Sequence, residues 1–181
     1  MQIIGKKIIK YPEIDSTNDE AKRLVKKGLG EGTVVIADTQ TKGRGKPGSD
    51  WFSAPGIGIY LSAIVNPRKN PNELALITRL GAEAVIAAID AISGQKAKIK
   101  LPNDVLLNGK KISGILVERL ASGHVIIGIG VNLNHSREDF PPELQATATS
   151  LKTETGQNFV PDVFADLLVS ALDLAYLAYL G

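Results

Sequence analysis

The 181-residue chain contains no cysteine. That excludes a disulfide framework, a thiolate zinc site and a thiol nucleophile, and it agrees with a cytoplasmic setting. Aromatic residues are scarce at 5%, with Trp51 the single tryptophan, so aliphatic side chains must build most of the core. Neither sign of charge is in excess: 21 basic and 19 acidic residues leave a formal net charge of +2. Bulk electrostatic binding of nucleic acid is not expected from that balance. Residues Met1 to Lys10 lack the apolar core of a signal peptide, and no apolar run is expected to reach membrane-spanning length. The histidines form no metal-like cluster; His124 follows a turn and His135 opens a loop, so both are expected at the surface. No Gly-x-Ser-x-Gly and no Walker-type Gly-Lys-Ser/Thr occurs. Any catalysis by this chain therefore rests on positioning and electrostatics rather than on a covalent nucleophile.

What is present suits one domain with a sizeable core. Residues 7–11 read as a short strand, and Ser16 reads as the N-cap of a helix that Gly28 and Gly30 close. A β-rich run covers 32–39, a polar glycine-rich loop runs from Thr41 to Gly56, and a strand follows over Ile57–Val65. Asn70-Pro71 opens a long helix to about Ile92. Then come β-like segments at 97–107 (interrupted at Pro102), 111–120 and 124–133, with hairpin turns at Asn108-Gly109 and Ser122-Gly123. Residues 135–158 are poorly patterned and read as a mobile loop, and an apolar helix ends the chain. The expected class is α+β: a mixed, largely antiparallel sheet flanked by helices.

Three segments carry candidate chemistry. In Lys42-Gly43-Arg44-Gly45-Lys46-Pro47-Gly48-Ser49-Asp50-Trp51-Phe52-Ser53, glycines expose amides, Arg44 and Lys46 supply positive charge, and Trp51 offers a flat face to a heterocycle. A flexible turn would look similar. Lys100-Leu101-Pro102-Asn103-Asp104 precedes Lys111, which is either a solubilising lysine at a strand start or one that faces a ligand. In the strand 124–134 the odd positions Val125, Ile127, Ile129, Val131 and Leu133 form an apolar face. The even face carries Gly128, Gly130, Asn132 and Asn134, with Gly114 and Leu116 across the hairpin. Glycines on one face of a strand mark a close approach, by a ligand or by a packed helix.

In combination and order these segments resemble the catalytic domain of biotin protein ligases. The matching residues are Ser16-Thr17-Asn18, Gln40 with Gly43-Arg44-Gly45, Trp51-x-Ser53, Lys100-x-Pro-Asn-Asp104, Lys111-x-x-Gly114-Ile-Leu-Val-Glu118, Gly128-x-Gly130-x-Asn132 and Ala148-Thr149-Ser150-Leu151. The resemblance implies a class II aminoacyl-tRNA synthetase-like fold. It also implies ATP-dependent conversion of biotin to biotinyl-5'-AMP, then transfer to a lysine of a biotin carboxyl carrier protein. By the same resemblance Ser16, Thr17, Asn18 and Gln40 hold the ureido ring. Gly114, Leu116, Gly128 and Gly130 pack on the bicycle and its chain, and Gly43, Arg44, Gly45, Lys46 and Lys111 complete the biotin set. Lys111 and Arg44 are the implied catalytic cations. Trp51 and Asn132 bind adenine, with Arg44, Lys46, Asn103 and Lys111 completing the ATP set, and Asp104 with Asn103 organises Mg²⁺ and phosphate. A homodimer through a sheet edge is compatible with the family.

The chain departs from the family pattern at Lys46, Ser49 and Leu101, where two arginines and a tryptophan are usual. Lys46 keeps the charge but not the planar fork, which implies looser retention of the adenylate. Residues 1–181 are expected to form the catalytic domain alone, without an N-terminal DNA-binding domain or C-terminal β-barrel. The alternatives are a lipoate or octanoate ligase on the same fold and a catalytically idle biotin- or nucleotide-binding module.

Overall fold

The computed structural model describes residues 2–67 and 74–181. The chain runs β1 (Lys7–Ile14), α1 (Thr17–Lys26), β2 (Thr33–Gln40), β3 (Gly58–Val65), α2 (Leu74–Ser93), β4 (Lys98–Lys100), β5 (Asp104–Leu107), β6 (Lys110–Arg119), β7 (Val125–Asn132), α3 (Leu151–Thr155) and α4 (Pro161–Leu180). The strands form one sheet in the order β1-β2-β3-β7-β6-β5-β4. β1 and β2 pair parallel, and every other neighbouring pair is antiparallel. The mixed, largely antiparallel α+β class is as expected.

Local chemistry explains the element ends. Ser16 caps α1, its hydroxyl accepting from the Asp19 amide at 3.4 Å, and Gly28 beyond the helix takes φ +87°. At the β5–β6 turn Asn108 (φ 49°) and Gly109 (φ 83°) are both left-handed, as a two-residue hairpin requires. The interruption at Pro102 proves to be a reversal: β4 and β5 are separate antiparallel strands joined by a turn through a cis Leu101–Pro102 bond. The expected helix start at Asn70-Pro71 lies outside the described residues.

Alternation along the central strands separates two layers. Ile59, Leu61, Ala63 and Val65 of β3 join Val125, Ile127, Ile129 and Val131 of β7 in the main core, under α2 and α4. The opposite face carries Ile64 and Ile126, which meet Ala21 and Leu24 of α1 in a smaller cluster. α1 covers only part of that face. At its N-terminus Thr17 and Asn18 lie over Ser62 and Gly128, which form one cross-strand row with Leu116. Tyr60, Gly130, Gly114 and Asp104 form the next.

Two expectations need correcting. Pro161–Leu180 is long and apolar enough to cross a membrane by length and composition, with an 18-residue stretch of mean hydropathy 1.7. Phe164, Leu168, Leu172 and Tyr176 nevertheless bury one side of it in the core. Its Asp173 accepts hydrogen bonds from the Ile3 and Ile4 amides, tying down the N-terminal segment. Residues 135–158 are not an unstructured excursion. Asn134 exchanges hydrogen bonds with Phe159, Ser150 caps α3, and Lys111 pairs with Ala148 in a parallel bridge.

Candidate active site

The open part of the sheet forms the floor of a cleft of about 220 Å³, lined among others by Ser16, Thr17, Asn18, Gln40, Trp51 and Lys111. One end is polar and closely bonded. Gln40 Oε1 accepts from the Thr17 amide (2.8 Å) and hydroxyl (3.1 Å), while its Nε2 donates to Ser53 (3.0 Å). The Ser62 hydroxyl lies 2.8 Å from Thr17 Oγ1 and 2.6 Å from Asn18 Oδ1. It has one proton for these two acceptors. The end of the cleft is therefore a linked chain of hydroxyls and amides, each with a partner.

The glycines of the floor have identifiable neighbours. A Cβ at Gly128 would collide with the Asn18 amide, and one at Gly114 would stand 2.8 Å from Trp51 Cζ3. At Gly130 the three nearest atoms to a Cβ all belong to the same indole. Trp51 therefore lies flat across Gly114 and Gly130. It is carried there by the hairpin of the glycine loop, which closes through an Arg44–Asp50 bridge and a bond from Gly45 N to Ser49 O. The close approach read from the glycine pattern is made here by protein side chains, Asn18 of α1 at Gly128 and Trp51 of the loop at Gly114 and Gly130.

A second hollow of about 90 Å³ lies beyond the indole, lined by Asp50, Trp51, Phe52, Lys111, Asn132, Phe140, Leu144, Thr147 and Ala148. Trp51 and Lys111 thus belong to the walls of both cavities. Lys111 Nζ stands 5.5 Å above the indole centroid and 2.7 Å from Asp104 Oδ1. Its backbone is clamped by bonds to Thr147 and Thr149.

The other expected residues fall around these cavities with added structural duties. Asn132 donates to Thr149 O (3.0 Å) and Asn103 to Ile115 O (3.1 Å), so each braces a wall as it lines a hollow. Lys46 is exposed at the loop tip, while Gly43 and Gly45 lie in the loop's paired stem. Arg44 is not free. Its guanidinium contacts Asp19 (2.6 Å) and Glu118 (2.7 Å). Burial works against its charge, but these carboxylates prevail and raise its pKa. Asp104 is a single carboxylate, and no group of three or more His, Cys, Asp or Glu side chains gathers to hold a metal among the described residues. That donor set fits Mg²⁺ held mainly by phosphate oxygens with one protein carboxylate.

Four contributors carried no role in the sequence reading: Ser62, Asp19, Lys22 and Glu118. Glu118 stood inside a matching motif, and Ser62 comes to lie beneath Thr17 and Asn18 because it pairs with Gly128 across β3–β7. His135 corrects a surface assignment. It is fully buried, stacked on Phe140 at 4.9 Å with an interplanar angle of 11°, and edge-on to Phe52. Burial lowers its pKa to about 4, only partly opposed by Asp139. Neither ring nitrogen has a hydrogen-bond partner among the described residues. His124 is half-buried, with Nδ1 3.0 Å from the Ser122 hydroxyl.

Comparisons with known proteins converge on one group. Residues 11–132 match the Biotin/lipoate A/B protein ligase family. The bifunctional ligase/repressor BirA of Bacillus spizizenii is 42% identical over 160 residues, covering 86% of this chain and 49% of that protein. A biotin–[acetyl-CoA-carboxylase] ligase of Paracoccus denitrificans is 38% identical over 164 residues, covering 87% and 68%. The chain thus spans about half the length of its Bacillus relative and about two thirds of the Paracoccus one. Among solved structures, the biotin protein ligase of Aquifex aeolicus in complex with biotin and ATP superposes with a TM-score of 0.84 at 34% identity, over 96% of this chain and 72% of that one. The Leishmania major enzyme in complex with biotinyl-5-AMP gives 0.79 at 25% identity, over 94% and 75%.

Proposed function

The chain belongs to the Biotin/lipoate A/B protein ligase family, and from that premise we propose that it converts biotin and ATP to biotinyl-5'-AMP and passes the acyl group to a carrier lysine. The observation that carries the reading is the shared wall. The polar-ended cleft and the second hollow meet at Trp51 and Lys111. An acid in one and a nucleotide in the other would bring carboxylate and α-phosphate together beside Lys111.

The polar end favours biotin over a linear acyl chain. Thr17, Asn18, Gln40 and Ser62 present bonded hydroxyls and amides, which suit a cyclic urea. An octanoyl terminus would offer the Thr17, Asn18 and Gln40 groups that line the cleft no hydrogen bond. In the first step a carboxylate oxygen bonds to the α-phosphorus, the bond to the β-phosphate oxygen breaks, and pyrophosphate leaves. Lys111 offsets the repulsion between the approaching anions and the charge built up in the transition state. Mg²⁺ would enter on the phosphates, where it neutralises charge, with Asp104 as the protein ligand and Asn103 beside it. Adenine would lie in the hollow bounded by Trp51, Phe52, Phe140 and Asn132. In the second step an uncharged carrier amine attacks the acyl carbon, loses a proton, and AMP departs.

The carrier would be the biotin carboxyl carrier domain of a carboxylase. We place the protein in the cytoplasm, with neither nucleic acid nor membrane as partner, and a sheet-edge homodimer is compatible with the reading. ATP–pyrophosphate exchange tests the first step, with biotin, lipoate or octanoate supplied separately. Exchange with biotin alone is expected. Exchange only with the linear acids would replace this reading with the lipoate-type one, and none with any acid would leave a binding module.

A further inference from the structure

Glu118 projects from β6 into the space between α1 and the glycine loop, and its side chain is 21% exposed. Donors from both sides converge on this one carboxylate. From α1, Asn18 Nδ2 reaches Oε2 at 2.8 Å and Lys22 Nζ reaches Oε1 at 2.9 Å. From the loop, Arg44 Nη2 reaches Oε1 at 2.7 Å and Nη1 reaches Oε2 at 3.2 Å. Asp19 completes the array, accepting from Arg44 at 2.6 Å and from Lys22 at 3.1 Å. Two carboxylates and two cations alternate in a neutral ring, partly shielded from water, where such contacts are stronger than at an open surface. Burial pushes the Glu118 carboxyl up, yet the donors outweigh it and hold it below the usual carboxylate range.

This arrangement decides two things at the site. It fixes the Asn18 amide, whose nitrogen is taken by Glu118 while its oxygen faces Ser62 and Gly128. It also commits Arg44, so in this arrangement the arginine fastens the loop that delivers Trp51 instead of meeting a phosphate. We propose that Glu118 is a positioning residue that couples the hydroxyl–amide end of the cleft to the glycine loop, acting through Asn18 and Arg44. The proposal deepens the biotin reading and rests on it for its kinetic arm, but not for its structural arm.

The nearly isosteric Glu118→Gln keeps an acceptor for Asn18 and removes the counter-charge from Arg44 and Lys22. Two measurements test it: biotin-dependent ATP–pyrophosphate exchange, and tryptic cleavage after Lys42 and Arg44. The KM for biotin is expected to rise about tenfold, or ~1.4 kcal/mol, with kcat falling less than about threefold. Cleavage should accelerate while the thermal midpoint stays near that of the unaltered protein. Lys22→Met, which leaves both Asn18 and Arg44 on Glu118, should shift the KM by only about twofold. Should Glu118→Gln not fold, Arg44→Gln reads the same coupling from the loop side, and it too must raise the KM for biotin. Unchanged KM and cleavage in the folded Glu118→Gln protein overturn the proposal, as does a loss confined to kcat. If the unaltered protein shows no biotin-dependent exchange, the ligase reading falls while the cleavage comparison still decides whether Glu118 holds the loop.

Discussion

If Trp51 lies across Gly114 and Gly130 as a wall common to both cavities, a methyl group placed under it must displace it. In Gly130→Ala the new Cβ would meet three indole atoms within 2.8 Å, where ordinary contact begins at 3.4 Å. The ring must withdraw by an amount on the order of 1 Å, and overpacking of this kind costs about 1–3 kcal/mol. For a domain of this size that lowers the thermal midpoint by roughly 2–12 °C. Because the sole tryptophan reports the event, its emission should move as the half-buried indole shifts further toward water. The KM values for biotin and ATP should both rise. Trp51→Phe offers a smaller ring, so the double variant should recover part of the loss, with a coupling of about 1–2 kcal/mol in circular-dichroism melts. Effects that add to within about 0.5 kcal/mol would refute the contact, because independent sites behave that way.

Two other perturbations address charge. Lys111→Ala removes the cation at the junction of the cavities and leaves Asp104 without its 2.7 Å partner. The kcat for exchange should fall about 10²–10³-fold, with calorimetric biotin affinity far less affected because the polar end of the cleft is untouched; an equal loss in both would place Lys111 in ground-state binding. His135 links stability to acid. Its pKa is depressed to about 4 from 6.5, so between those values the unfolded chain binds a proton that the folded one does not. Stability therefore declines as pH falls from about 6.5 toward 4, by roughly 3 kcal/mol in all. His135→Phe keeps a ring between Phe52 and Phe140 and should flatten that decline. A stability difference between the two proteins that stays constant from about pH 7 to 5 would show that His135 does not carry it.

Much of the fold is legible because it depends on neighbours in the chain. The Ser16 cap, the Asn108-Gly109 turn and the alternating faces of β7 follow from rules spanning a few residues. The same alternation placed Gly128, Gly130 and Asn132 together on a face away from the core. Where such rules lack reach, the reading fell short. Residues 135–158 look patternless because their order comes from Asn134, Ser150 and Lys111, partners distant in sequence or lying in other elements. His135 looked like a loop residue because burial is a property of the packed fold.

The sequence by itself determined the residue types of the cleft and their order: the hydroxyl–amide cluster after β1, the basic glycine loop with Trp51, and the lysine and glycines of the β6–β7 hairpin. Only the tertiary structure decided what each of them touches. Register across β3, β7 and β6 set Ser62 opposite Gly128 and Gly130 opposite Gly114, opening a floor onto which Trp51 and Asn18 descend. Packing of α1 and the loop against Glu118 pairs Arg44, expected beside phosphate, with the Asp19 and Glu118 carboxylates. The physical reason is that composition and spacing specify which groups exist, whereas pairing across a sheet and competition for partners in a half-buried site specify which remain free to meet a ligand.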